Sequence, residues 1–195
     1  LAAALAAVAT TLGRLAGDVC LFMCSNFAFV SLPDRFTTGS SIMPHKKNPD
    51  VFEIMRGRCS RLQALPGEVA MLLAHLPQGY NRDLQLLKDI TFPAITQLED
   101  CLNMAIFILP YLQVKEGILN DERYDCLFTV EEVNRRVNEG TPFRDAYRQV
   151  GIEVQNGTFK ASRDICHTHL GSIGNLANDL IRAKITEVVA RFDRN

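Results

Sequence analysis

Thirteen residues, Thr38-Gly39-Ser40-Ser41-Ile42-Met43-Pro44-His45-Lys46-Lys47-Asn48-Pro49-Asp50, gather hydroxyls, two lysines, an amide, a glycine and two prolines between strongly apolar flanks. A serine is a feeble base, because its hydroxyl pKa lies far above neutrality, and it takes a proton only if its anion is stabilised. Lys46, six residues after Ser40, supplies a positive charge for that purpose. Backbone amides around Gly39 to Ser41, with the Asn48 amide, would hold a carboxylate or a developing oxyanion. The same residue types also make an ordinary solvated basic turn with capping serines. Only the pattern as a whole separates the two.

A second group follows at Tyr80-Asn81-Arg82-Asp83-Leu84-Gln85-Leu86-Leu87-Lys88. Within a helix, Gln85 and Lys88 are three apart and share a face with Asn81, so an amide and an ammonium point together at one ligand, and Tyr80 adds a phenol at the entry. Two readings compete here, an ordinary helix start with a solvated lysine or a carboxylate-binding corner, and spacing alone favours the former.

The loop from 39 to 48 resembles the signature of the fumarase/aspartase superfamily, G-S-S-x-M-P-x-K-x-N, with Gly39, Ser40, Ser41, Met43, Pro44, Lys46 and Asn48 in register. Within that superfamily the flanks are similar to the argininosuccinate lyases: FAFVSLPDRFTTGSS before the loop, the Lys46-Lys47 pair inside it and YNRDLQ from Tyr80 to Gln85 after it. The resemblance runs through most of the chain, as the later part of a much longer family sequence. It implies an all-α fold: a long-helix bundle of the fumarase/aspartase type over 1–113, with the signature loop at 37–50, plus a small helical C-terminal domain over 114–195.

What the resemblance implies about chemistry is specific. Argininosuccinate would be cleaved to arginine and fumarate by base-catalysed C–N elimination, without a cofactor or metal. Ser40 would be the base as its alkoxide, Lys46 would help ionise it, and Asn48 would hold the substrate carboxylate. Ser41 and the Met43 backbone would assist by hydrogen bonding, and Tyr80, Gln85 and Lys88 would bind the succinate end, which reverses the reading that spacing alone favours. The family's supporting histidine lies well before the signature loop, a place that none of His45, His75, His167 or His169 occupies. Family sites combine three subunits of a homotetramer, so this chain alone is expected to hold one or two pieces of a site and to be inactive by itself. His45 stands where many of these lyases have glutamine, Leu86-Leu87 replaces a pair that is commonly acidic, and Asn26 lies where an acidic residue is frequent; none of these touches Ser40, Lys46 or Asn48. The alternatives are another lyase of the superfamily, such as one acting on adenylosuccinate, and a non-catalytic helical oligomer.

Elements must position these residues. Gly39 frees the backbone before the serine pair, and Pro44 and Pro49 deny the stretch a regular helix, so it is a loop. Asn48-Pro49-Asp50 reads as N-cap, first helical position and acidic first turn, so the loop ends by launching a helix. Before it, Leu1, Leu5, Val8, Leu12, Leu15, Val19 and Phe22 form a heptad-like seam with small residues beside it, as in a helix inside a bundle. After it, Val51, Ile54, Met55, Cys59 and Leu62 mark an amphipathic helix up to Leu65-Pro66-Gly67, and EVAMLLAHL a second one. A long helix follows through ITFPAITQLEDCLNMAIFIL, bounded by Pro110. From about Val114 the style is shorter and more charged: Gly140 stops one helix, Thr141-Pro142 starts the next, and Gly171 and Gly174 precede the last. The apolar faces exceed what one chain covers, which predicts oligomerisation.

Composition closes other classes. A net charge of −1 with 22% charged residues gives no global field for nucleic acid or an anionic membrane. Arg14 and Asp18 interrupt the first apolar run, and VCLFMCSNFAFV is too short to span a bilayer. Six cysteines without CxxC spacing look like reduced thiols of a cytoplasmic protein. Cys20 and Cys24 sit one helical turn apart but would need two further ligands to hold a metal, and the spacing of Cys166, His167 and His169 cannot put all three on one helical face. The run LAAALAAVATTLGRL begins in mid-pattern, which reads as a fragment of a larger protein whose N-terminal part is absent.

Overall fold

The computed structural model describes residues 1–39, 41–43, 45–165 and 167–192, and divides into two compact units, Leu1–Glu116 and Gly117–Asn195. Among the described residues the regular structure is helical apart from one two-stranded pair and two isolated backbone bridges.

Small side chains decide how the first unit is built. Helices α1 (Ala2–Met23) and α2 (Asp50–Gln63) bury Ala9, Leu12, Ala16 and Val19 of the first and Phe52, Met55, Cys59 and Leu62 of the second in one core. A Cβ added at Gly13 would lie 3.1 Å from the Cys59 Cβ, so the two backbones approach about as closely as glycine permits. The heptad reading of α1 put Val8 and Leu15 in the seam with small residues beside it. Instead Ala9 and Ala16 are the fully buried positions, and Val8 and Leu15 face outward. Helices that pack this closely need their shortest side chains at the contact. On α2 the stripe is shifted too: Phe52 is fully buried while Ile54 stays exposed, since Ile54 lies about 100° round the helix from Met55.

Helix α3 (Leu65–Leu73) follows α2 after a single residue. Pro66 and Gly67 therefore open a helix where the sequence pattern had them close one; proline is tolerated in a first turn, where its missing N–H has no partner to lose. Helix α4 (Leu86–Ile108) contributes Ala94, Leu98, Cys101, Ala105 and Ile108 to the same core, and Pro110 lies in the short turn Leu109–Tyr111 that ends it. By length and composition α1 and the run Arg82–Tyr111 are each long and apolar enough to cross a membrane, yet each carries a stripe of this core.

The directions of these helices matter for the site. The first turn of α2 (Asp50, Val51, Ile54) shares a groove with the end of α4 (Met104, Phe107), and its last turn (Arg61, Leu62) shares one with the start of α4 (Asp89, Ile90, Pro93). α2 and α4 are thus antiparallel. Gly13 faces Cys59 while Gly17 faces Arg56, so α1 and α2 are antiparallel as well. Strands β1 (Val30–Ser31) and β2 (Gln113–Val114) pair with Val30 opposite Val114, tying the chain after α1 to the chain after α4. The end of α1, the start of α2 and the end of α4 therefore share one end of the unit.

In the second unit α5 (Thr129–Asn138) and α6 (Phe143–Gln155) pack through Val133, Ala146 and Val150, and α7 (Asn178–Phe192) has no buried residue. Both α5 and α6 end on a left-handed glycine. At Gly140 the next amide, Thr141 N–H, reaches back to the Arg136 carbonyl at 3.0 Å, and at Gly157 the Thr158 N–H reaches the Glu153 carbonyl at 2.9 Å. α6 starts one residue later than Thr141-Pro142 suggested, because Pro142 has an extended ψ of 137°.

One carboxylate holds α5 together. The buried Glu132 accepts from Arg135 at 2.7 and 2.8 Å and from Arg136 Nε at 2.7 Å, and Arg136 also donates to Glu153 on α6 at 2.8 Å. The hydrogen bonds from Arg135, then those from Arg136, outweigh the effect of burial and hold the Glu132 carboxyl at about 2, against an ordinary 4.5. A depressed carboxylate contributes stability that is complete above its unfolded-state value and is lost as pH falls through the folded one. Stability of this unit should accordingly decline as pH drops from 4.5 towards 2. Glu132→Gln should cost about 1.5–3 kcal/mol in urea unfolding at neutral pH, and should flatten that acid limb.

Candidate functional site

The signature loop is closed at its base by backbone. Thr38 and Asn48 pair antiparallel, with Asn48 N–H on the Thr38 carbonyl at 2.8 Å and Thr38 N–H on the Asn48 carbonyl at 3.2 Å. Side chains reinforce the closure. The Thr38 hydroxyl donates to the Asp50 carboxylate, and the Lys47 ammonium donates to the Asp34 carboxylate. The Asn48 side-chain amide donates to the Gly39 carbonyl at 3.4 Å.

That last bond corrects the expectation that Asn48 caps α2. Its side chain is turned back into the loop, and α2 starts at Asp50, with the Phe52 and Glu53 amides bonding the Pro49 carbonyl at 2.9 and 3.0 Å. Pairing with Thr38 fixes Asn48 in the bridge, away from the cap position. Gly39 also differs: its φ is not in the left-handed range, and among the described residues a Cβ there would meet nothing within 4 Å.

Ser40, the expected base, lies outside the described residues, as does Pro44. Ser41, Met43 and Lys46 are exposed, and the Lys46 N–H bonds the Met43 carbonyl at 3.0 Å, which folds the loop's tip into a turn. Met43, His45, Lys46, Lys47 and Asn48 form one wall of a cleft of about 550 Å³; the other wall is the end of α1, from Cys20 to Ser25, with Glu53 of α2. Burial, the largest influence on it, pushes the Cys20 thiol up, although Arg56 opposes this. Among the described residues Lys46 has no anionic partner, and the cleft presents its ammonium beside an amide, as a site for a carboxylate would.

The second cluster is partly assembled. Gln85 Nε2 donates to the Tyr80 hydroxyl at 3.2 Å, so amide and phenol meet as anticipated, and Lys88 stands exposed in the first turn of α4. Asn81 does not join their face. Its backbone is extended and its amide donates to the carbonyls of Pro77 at 3.0 Å and Gly79 at 3.3 Å, closing the turn that the left-handed Gly79 makes. Residues Arg82–Gln85 form a tighter helical turn before α4 begins.

The two clusters do not meet within this chain. The loop sits where α2 begins and α4 ends, whereas Tyr80, Gln85 and Lys88 sit where α4 begins. From Lys88 to Phe107 at 1.5 Å per residue is about 30 Å. None of Tyr80, Gln85 and Lys88 lines the cleft at the loop. Sequence reasoning missed Asp34 and Glu53 as parts of the loop's surroundings and the pairing of Asp50 with Thr38; opposite charge thirteen residues from Lys47 was the only signal for Asp34.

Comparison with known proteins agrees with the loop. Residues 1–64 match the lyase family. Nearly the whole chain is similar to argininosuccinate lyases: that of Parabacteroides distasonis is 52% identical over 189 residues, covering 97% of this chain and 42% of the relative. That of Bacteroides thetaiotaomicron is 52% identical over 190 residues, covering 97% of this chain and 43% of the relative. The chain thus spans less than half the length of these relatives. In three dimensions it is similar to the crystal structure of EDDS lyase in complex with formate, with a TM-score of 0.64 and 21% identity, over 80% of this chain and 32% of that one. The fold is therefore the all-helical one of this group of lyases.

Closure of the loop yields a direct test. Thr38→Val removes the hydroxyl bonded to Asp50 and leaves that carboxylate to water, a loss of about 1 kcal/mol. Hydrogen exchange of the Asn48 amide should accelerate roughly fivefold, with the amides of α1 unchanged.

Proposed function

We propose that this chain is part of an argininosuccinate lyase, which splits argininosuccinate into arginine and fumarate. The observation that carries the reading is 52% identity to such enzymes across 97% of the chain, together with the intact signature loop from Gly39 to Asn48.

In this reading the Ser40 alkoxide removes the proton from the carbon beside a substrate carboxylate. Lys46 lowers the cost of that alkoxide and of the charge that develops on the carboxylate, Asn48 holds the carboxylate, and Ser41 and the Met43 backbone add hydrogen bonds. The electron pair left by the C–H bond forms the new C=C bond as the C–N bond breaks, and the departing guanidino nitrogen takes up a proton from a donor outside this sequence. Tyr80, Gln85 and Lys88 bind the succinate end, and no cofactor takes part.

A separation of about 30 Å between loop and corner supports active sites shared between subunits of a homotetramer, each chain lending its loop to one site and its Tyr80 corner to another. Outward-facing Val8, Leu15, Ile54 and Ile106 supply apolar surface for that assembly. Residues 1–113 are then part of the central bundle and 114–195 a small C-terminal domain. The free thiols of Cys20, Cys24, Cys59, Cys101 and Cys126 support a cytoplasmic location.

The isolated 195-residue chain should release no fumarate from argininosuccinate. Substituted for the matching segment of the Parabacteroides distasonis enzyme, the same residues should give a chimera that does, and Ser40→Ala in that chimera should lower turnover by about 10²–10⁴-fold. A folded chimera without fumarate release would overturn the reading.

A further inference from the structure

Two adjacent lysines border the cleft, and the loop's chemistry needs to know which is which. Both Lys46 and Lys47 line it. Lys47 is tied by its ammonium to Asp34, whereas Lys46 has no anionic partner among the described residues. Competing pairings are already taken up: the Asp50 carboxylate receives the Thr38 hydroxyl, and the Arg35 guanidinium, next to Asp34, lies 4.7 and 5.0 Å over the rings of Phe36 and Tyr111.

Asp34 is presented from an anchored platform. It opens the short helical turn Asp34–Phe36, whose last ring packs on Tyr111 at 4.7 Å and on Phe107 at 5.7 Å, both at the end of α4. On the opposite strand of the loop's base, Lys47 immediately precedes the bridge residue Asn48. Lys46 belongs to the turn closed on the Met43 carbonyl, whereas Lys47 is tied at the base to Asp34, so the two neighbouring ammonium groups have different surroundings.

We infer that Asp34 is a positioning residue, which pins Lys47 at the base of the loop and so leaves Lys46 as the cation offered to the cleft. The inference deepens the lyase reading and rests on it only for the catalytic consequence. The side chains of the pair are 57% and 79% exposed, so its effect on overall stability is small. Its importance lies in selection between two neighbouring ammonium groups, for which a bias of a few fold is sufficient. With Asp34 removed, a second uncompensated ammonium stands beside the loop. The other ionisable groups at the cleft are His45, Glu53, Cys20 and Cys24.

Competitive acetylation of the 195-residue chain with limiting acetic anhydride, read lysine by lysine by fragmentation mass spectrometry, tests the pinning without any reference to catalysis. Lys46 should label about 2- to 5-fold faster than Lys47, Asp34→Asn should bring the two rates together, and Asp34→Glu should restore the difference. Equal labelling in the unaltered chain, or a ratio that Asp34→Asn leaves unmoved, overturns the inference. In the chimera described above, Asp34→Asn should shift the acid limb of the kcat/KM profile to lower pH, because an unpaired Lys47 favours the ionised base; a merely structural role would lower the profile without moving the limb. A limb that stays in place while the labelling ratio changes overturns the catalytic consequence. Should the labelling ratio respond while the chimera releases no fumarate, the lyase reading fails and the pinning stands.

Discussion

Everything in the first unit depends on how closely α1 and α2 approach. At Ala9, Gly13 and Ala16 there is no side chain long enough to hold the helices apart, and Cys59 sits directly against the glycine. Close packing of two antiparallel helices fixes their ends as firmly as their middles, because interiors at this density leave little room to slide. The end of α1 and the beginning of α2 therefore stand side by side, and the chain between them has to turn within that space. The signature loop is the result. Its cleft owes one wall to the loop and the other to the last turn of α1.

The same antiparallel order carries the Tyr80 corner to the far end of α4. Contacts that are local in sequence, such as Gln85 with Tyr80 or Lys46 with Met43, assemble within the chain. Contacts between the two clusters do not, because a helix of twenty-three residues stands between them. In the second unit the governing interaction is electrostatic rather than steric: Glu132 gathers two arginines, and one of them reaches across to Glu153 on the neighbouring helix.

Much of this was legible beforehand, for reasons that can be stated. The helices announced themselves by apolar spacing, and Gly140, Gly171 and Pro110 marked breaks because their backbone demands are local. The loop was visible from Gly39, Pro44 and Pro49 with the residues between them. Phase within a helix was harder to read. Val8 and Leu15 look like seam residues until the close approach at Gly13 is known, and Phe52 was left out of the α2 stripe although it is buried completely. The cap expected at Asn48 and the helical face expected to include Asn81 failed because each side chain had a better partner: both are engaged by carbonyls of their own turns. The pairings of Asp34 with Lys47 and of Asp50 with Thr38 were invisible because they form only once the chain has folded back on itself.

The bridge between Thr38 and Asn48 leaves residues 39 to 47 as a nine-residue excursion whose ends are held by backbone pairing outside it. For such a loop the entropy of closure grows only with the logarithm of its length, and doubling it would cost about 0.6 kcal/mol. The helices beneath would scarcely register a longer or shorter excursion. Its length is therefore a free variable as far as folding is concerned, set by how far its tip must reach, and the stretch densest in chemistry is the one on which the architecture imposes the weakest constraint.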